Sequence, residues 1–209
     1  HPCDKPLTCT NNIADRIMTR LLDESASDYC RQLSQKVWVG QCKLVTKGYR
    51  QGGISGVGLR RMLLDEAGNQ KQALSIGQRK SLLTERVILV PGPDDERNTV
   101  LWIYDQFLSG IGETEIANQL NMRGIKNLFG RPWSRGTVRE VLTNEKYIGN
   151  NLFNRTSSKM KQKSRPNQED EWVRKEQAFE PIVDAEIFYS VQAIYRERNK
   201  KITNGEQGR

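Results

Sequence analysis

With 209 residues, 36% of them apolar and 28% charged, and a net charge of +8, the chain can bury a real core, more readily as two small units than as one. No apolar run is long enough to cross a bilayer, and His1-Pro2-Cys3-Asp4 has neither the charged start nor the apolar stretch of a signal peptide, so a soluble protein of the cytoplasm is expected. Cys3, Cys9, Cys30 and Cys42 form no Cys-x-x-Cys pair and His1 is the only histidine, which excludes a zinc ribbon or finger; no metal and no cofactor are expected, and unpaired thiols suit a reducing compartment.

From residue 11 to 47 there is no proline and a single glycine, Gly40, while apolar residues recur at Ile13, Ile17, Leu21, Tyr29, Leu33, Val37 and Leu44. That spacing predicts one long amphipathic helix. At 1.5 Å per residue it would span roughly 55 Å, more than the width of a small domain, so it is expected to project. A second apolar row, Met18, Leu22, Ala26 and Cys30, suits packing against a partner, whereas Arg31, Lys36, Lys43, Lys47 and Arg50 make the other end basic. The plainer account is a bundle helix with a solvated basic face.

Residues 48–58 contain five glycines, too many for the interior of a helix or strand, and read as a linker or a close-approach loop. A phosphate-cradling loop is disfavoured because no Gly-Lys-Ser/Thr ending follows. Leu59 to Asp65 and Gln70 to Ser75 flank Glu66-Ala67-Gly68-Asn69 as a hairpin, and Arg86 to Val90 reads as a third strand. Pro91-Gly92-Pro93 followed by Asp94, Asp95 and Glu96 opens a helix, with carboxylates at the positive end of its dipole. That placement explains them without metal-dependent nuclease chemistry, for which they would have to converge with distant carboxylates.

Val100, Ile103, Tyr104 and Phe107 form the apolar stripe of this helix, ended by Gly110 and Gly112. The next helix starts at Glu113-Thr114-Glu115, turns Ile116, Ala117 and Leu120 inward and stops at Gly124. A loop then leads to Ser134, a good N-cap, and to a third helix ending near Thr143 with Val138, Val141 and Leu142 inside. Burying those three leaves Arg135, Thr137 and Arg139 outward, in the half of a helix-turn-helix that meets base edges. Arginine can grip guanine through two parallel hydrogen bonds, and a threonine methyl can touch thymine. Trp133 reads as the apolar plug beneath the turn rather than a stacking platform.

Arg123 to Arg165 holds eleven basic residues against Glu140 and Glu145, a local charge of +9, and everything outside sums to −1. The partner implied is a polyanion, and nucleic acid is the obvious one. Residues 150–155 and 171–175 are expected to pair as a wing around a loop whose Lys159, Lys161, Lys163 and Arg165 would neutralise phosphates without reading sequence; a loose solvated loop is the competing account. The last helix, about 184 to 200, packs Ile187, Phe188, Val191, Ile194 and Tyr195 back onto the unit. A single-strand binder is disfavoured, since the few aromatics read as core rather than as a stacking row.

The runs Ile103-Tyr104-Asp105-Gln106-Phe107, Ile116-Ala117-Asn118-Gln119-Leu120-Asn121, Gly124-Ile125, Gly130-Arg131-Pro132-Trp133 and Leu142-Thr143-Asn144-Glu145-Lys146-Tyr147-Ile148-Gly149, with Phe179-Glu180-Pro181-Ile182-Val183-Asp184, resemble the recombinase domain of large serine site-specific recombinases. Asp28-Tyr29-Cys30-Arg31, Lys36, Gly48 and Gly52-Gly53 resemble the long helix leaving that family's resolvase-type catalytic domain. The resemblance implies a protein that cuts both strands at two DNA sites through a phosphoserine linkage, rotates the halves and rejoins them without metal or nucleotide. It also implies a dimer, and a tetramer during exchange. The attacking serine lies before the long helix in that family. Ser25, Ser27 and Ser34 match no nucleophile motif, and Arg31 is the one auxiliary catalytic candidate, although Cys30 stands where a glutamate is usual.

The fold expected is α+β and mainly helical, a long N-terminal helix followed by a winged helix-turn-helix-like domain with small β-hairpins. Residues 1–49 would close the catalytic domain and carry the long helix, 50–92 a Gly-rich linker and β insertion, 93–200 the DNA-binding domain, and 201–209 a polar tail. The chain is expected to be a piece of a longer protein. The residues expected on duplex DNA are Arg31, Lys43, Lys47, Arg50, Arg131, Ser134, Arg135, Thr137, Arg139, Lys146, Arg155, Lys159, Lys161 and Lys163. The function expected is the DNA-binding portion of a serine recombinase in the nucleoid; the alternative is a non-enzymatic dimeric regulator.

Overall fold

The computed structural model describes residues 13–157 and 163–206. The chain divides into two units, residues 1–42 and 43–209. The described part of the first is a single helix, α1 (Ile13–Thr46), whose last turn belongs to the second unit. The absence of proline lets it run on through Gly40, and Asp28 pairs with Arg31 one turn on, at 3.1 Å. Of the two expected apolar rows, Ile13, Ile17, Met18, Leu21, Leu22, Tyr29, Leu33 and Val37 are exposed, whereas Leu44, at the end that belongs to the second unit, is half-buried. The helix stops where Gly48 takes a φ of +89° and Tyr49 N–H turns back to the Leu44 carbonyl, a C-terminal closure that favours glycine.

In the second unit, β1 (Leu59–Leu64) is the centre of a three-stranded antiparallel sheet, between β2 (Gln70–Leu74) and β3 (Arg86–Pro91). Met62 faces Ala73 on one side and Ile88 on the other. The β1–β2 turn closes as expected: Asp65 Oδ1 accepts the Asn69 N–H at 2.8 Å, and Gly68 supplies a positive φ. The sheet is tied to α2 (Asp94–Leu108) by Glu96, which accepts two hydrogen bonds from Arg60, at 2.8 and 2.6 Å, and one from Gly58 N–H at 3.0 Å. Glu96 therefore does more than complement a helix dipole. The Arg60 guanidinium, ahead of the backbone N–H, also holds its carboxyl below the usual carboxylate range.

Helices α2, α3 (Glu113–Met122), α4 (Arg135–Thr143) and α5 (Ala185–Glu206) enclose the core with the 3-10 turn Glu145–Ile148. Val100, Ile103, Tyr104 and Phe107 of α2 meet Ile116 and Leu120 of α3, Val138, Val141 and Leu142 of α4, and Phe188 and Val191 of α5. Each large apolar side chain buried here contributes about 1.5–3 kcal/mol relative to exposure. Tyr104 escapes the penalty of a buried hydroxyl by donating to the Val141 carbonyl at 2.9 Å. The N-cap of α3 is Gly112, with no side-chain cap bond, so Glu113 is the first helical residue rather than part of a cap. No breaker stands before Gly205, and α5 continues to Glu206 instead of ending near 200.

The wing is built from β4 (Asn151–Phe153) paired with β7 (Val173–Lys175), and beyond them β5 (Thr156–Ser157) with β6 (Arg165–Pro166). Arg174 donates to Glu145 at 2.7 Å and fixes this hairpin to the turn after α4. Gly149, at φ +86°, lies so close to the wing's return segment that an added Cβ would stand 2.5 Å from the Phe179 carbonyl oxygen. At Gly124, φ +72°, a Cβ would meet nothing within 4 Å. Gly124→Ala should therefore cost about 1–2 kcal/mol from backbone conformation alone. Gly149→Ala should add a steric cost of about 1–3 kcal/mol; urea midpoints that fall equally for the two variants would refute the close approach.

Candidate nucleic-acid interface

The segment between α3 and α4 is held by side-chain amides rather than by regular structure. Asn121 accepts the Trp133 N–H at 2.8 Å and donates to the Trp133 carbonyl at 2.9 Å. Asn127 accepts the N–H groups of Phe129 and Arg131 and donates to the Pro132 carbonyl, while Gly130 N–H returns to the Asn127 carbonyl. Trp133 is buried at 4% exposure in the core beneath this loop, as the plug its position suggested. Ser134 then caps α4: its Oγ accepts the Thr137 N–H, and Thr137 Oγ1 accepts the Ser134 N–H at 2.9 Å. Both hydroxyls expected on DNA are thus engaged in the cap, and Thr137 retains its methyl group for an outside contact.

With Val138, Val141 and Leu142 inward, Arg135 and Arg139 stand exposed one turn apart. Each is braced. Arg135 Nε lies 3.5 Å from Glu113 Oε2, and the Arg139 guanidinium sits 5.3 Å from the centre of the Tyr195 ring. Glu113 and Tyr195 are joined in turn by a 2.9 Å hydrogen bond from the phenol, and Tyr195 stacks on Phe107 at 5.0 Å. Burial, and then the Glu113 carboxylate, push the Tyr195 phenol well above its ordinary pKa, so it stays a donor. These braces were not legible in the sequence, since Glu113 and Tyr195 lie 82 residues apart.

Arg131, Lys43, Lys47, Arg155 and Lys163 are exposed. The Arg155 guanidinium lies 5.4 Å from the Trp172 ring centre, which orients it on the wing. Lys159 and Lys161 lie outside the described residues. Arg31 is exposed on α1 and bound to Asp28. Arg50 is half-buried, donating to Asn151 Oδ1 and the Leu152 carbonyl; it braces the wing strand, and desolvation lowers its pKa.

Lys146 departs most from expectation. It was expected on duplex DNA, but its side chain is 4% exposed, with Nζ 3.6 Å from Glu140 Oε1 and under Gly56, where a Cβ would stand 2.6 Å away. The 3-10 turn after α4 carries it inward. Burial, reinforced by Arg50 and Arg155 and opposed by Glu140, brings its pKa down to about 8. Among the described residues, no group of three His, Cys, Asp or Glu side chains gathers to hold a metal ion, and no helix is long and apolar enough to cross a membrane.

A family model described as Recombinase matches residues 94–198, half of the chain, and the chain belongs to this recombinase family. Among solved structures, an LSR–DNA complex is similar over 79% of this chain and 39% of its own, at 20% identity and a TM-score of 0.50. A second, from work on the Listeria innocua prophage attP site, is similar over 77% and 51% at 20% identity, with a TM-score of 0.48. The chain thus spans 39% and 51% of these two proteins. No curated protein matches it.

Lys146 generates a pH signature. Its folded pKa of about 8 lies below the unfolded value near 10.4, so the unfolded chain binds more protons between the two and stability rises with pH across that window. Lys146→Met should abolish the rise, and below pH 8 it should match or exceed the parent by about 1–4 kcal/mol. Chemical denaturation at pH 7 and pH 10 checks this; parallel responses in both proteins would contradict a neutralising Lys146.

Proposed function

We propose that this chain is the DNA-binding portion of a serine site-specific recombinase, which seats the enzyme on duplex DNA for strand cleavage and exchange. The observation that carries it is the pair Arg135 and Arg139, exposed one turn apart on the N-terminal half of a capped helix whose other face is core. In the docked complex α4 enters the major groove, and Arg135 and Arg139 meet base edges. Arg131, Arg155, Lys159, Lys161 and Lys163 neutralise phosphates around it, and Lys43 and Lys47 do so at the end of α1. Ser134 and Thr137 act by fixing α4, and Arg50 by bracing the wing; Lys146 leaves the contact set because it is buried.

Family membership supports the enzymatic parentage over a free-standing regulator. The LSR–DNA complex similar to this chain supports duplex DNA as the partner. On this reading the exposed apolar rows of α1 pair with a second copy, and Arg31 is the residue available to assist at the cleavage site. The division at about residues 49, 92 and 200 and a place in the nucleoid belong to the same proposal.

Selection of a preferred site from randomised duplexes, followed by gel shifts on matched and scrambled versions, tests it. Arg135→Ala should relax the preference at one base position by about 1–3 kcal/mol, while Lys163→Ala should weaken binding at every sequence and lower the salt slope by about one. If Arg135→Ala alters neither affinity nor preference, α4 is not the reading element.

A further inference from the structure

The three-stranded sheet has no part in the helix-turn-helix, yet it forms one wall of a cleft of about 860 Å³ whose other lining comes from the Gly-rich segment 50–55, from Glu96 of α2, and from Asn127 and Leu128 of the α3–α4 loop. Six cations line it: Arg50, Arg60, Arg61, Arg79, Lys80 and Arg86. Glu85 and Glu96 are its only lining carboxylates among the described residues, and both are occupied. Glu96 holds Arg60, and Glu85 holds Lys71 at 2.8 Å together with the N–H groups of Ser81 and Leu82. Arg61, Lys80 and Arg86 bond instead to main-chain carbonyls of residues 75–85. Carbonyl contacts fix the geometry of a cation without cancelling its charge. Arg79 is exposed with no bond to another described residue.

Solubility alone does not account for this. Cations that protect a sheet edge are expected along the edge strands themselves; β2 carries Lys71, which Glu85 neutralises, and β3 carries Arg86, whereas Arg61 is on the central strand and Arg79 and Lys80 lie in the β2–β3 connection. The uncancelled charge lines a concave surface, where low-dielectric walls focus the field. The same cleft is lined by Asn127 and Leu128 of the loop that presents α4.

We infer that the β1–β2–β3 sheet is a second DNA-gripping element, in which Arg61, Arg79, Lys80 and Arg86 hold the phosphodiester backbone beside the site that α4 reads. This rests on duplex DNA being the partner, but not on α4 being the reading helix. The grip is sequence-independent, since it presents cations to phosphates and no group placed against base edges.

The test uses the full chain, its selected duplex and the variants Arg79→Ala and Arg61→Gln. Each should lower the log–log salt slope by about 0.9, with base preference unchanged and loss of hydroxyl-radical protection confined to one flank of the site. Arg79→Ala removes no bond within the fold, so its result stands even where Arg61→Gln disturbs the 75–78 turn; thermal melting identifies that case. An unchanged slope and footprint for Arg79→Ala overturn the inference and leave the exposed rim of Ile76, Leu82 and Leu83 as a protein-docking face. Calorimetry with sodium pyrophosphate separates the sources of phosphate: binding that depends on Arg79 without any change in the duplex slope would mark a free-anion site and equally overturn it. If Arg135→Ala is silent while Arg79→Ala lowers the slope, the helix assignment fails and the sheet grip survives. If the chain ignores duplex altogether, both fail together.

Discussion

Asn121 grips the peptide of Trp133 by both ends of its side-chain amide, and the position of α4 depends on that bracket. The loop it closes has no strand or helix of its own, so without the bracket the indole would be free to leave the core and the Ser134 cap would lose its fixed starting point. Two neutral hydrogen bonds contribute only about 1–3 kcal/mol together. Their importance is geometric: they convert the burial of Trp133 into a defined exit direction for the helix that follows.

Electrostatics then separates cations that support the fold from cations that face outward. Arg50, Arg60 and Lys146 are drawn inside or half-inside, each against an oxygen. Arg135 and Arg139 are different, because Glu113 and the Tyr195 ring hold only part of each guanidinium while most of it remains in solvent. Such bracing reduces the side-chain freedom lost when a partner binds. A net positive charge counted along the sequence cannot make this distinction.

Much of the local structure was legible because local chemistry decides it. Ser134 had the residue type of an N-cap, Gly68 and Asn69 the chemistry of a tight turn, and the spacing of Val138, Val141 and Leu142 set the inner face of α4. The long helix from residue 13 and the pairing of the two wing strands followed from periodicity and from the turn-rich loop between them. What was missed depends on contacts between distant residues. The Glu113–Tyr195 brace, the Arg60–Glu96 clamp and the Asn121 bracket leave no periodic trace, and Lys146, beside Asn144 and Glu145, has the look of a solvated turn. Only the closure of that turn by Gly149 against Phe179 carries it beneath the Gly-rich segment.

The central claim is that the exposed half of α4 lies in the major groove. Methylation interference on a selected duplex addresses it directly, since methyl groups at guanine N7 project into the major groove and those at adenine N3 into the minor groove. The account predicts that N7 methylation at one or two guanines within each half-site abolishes binding. Interference confined to adenine N3, or none at all, would contradict it.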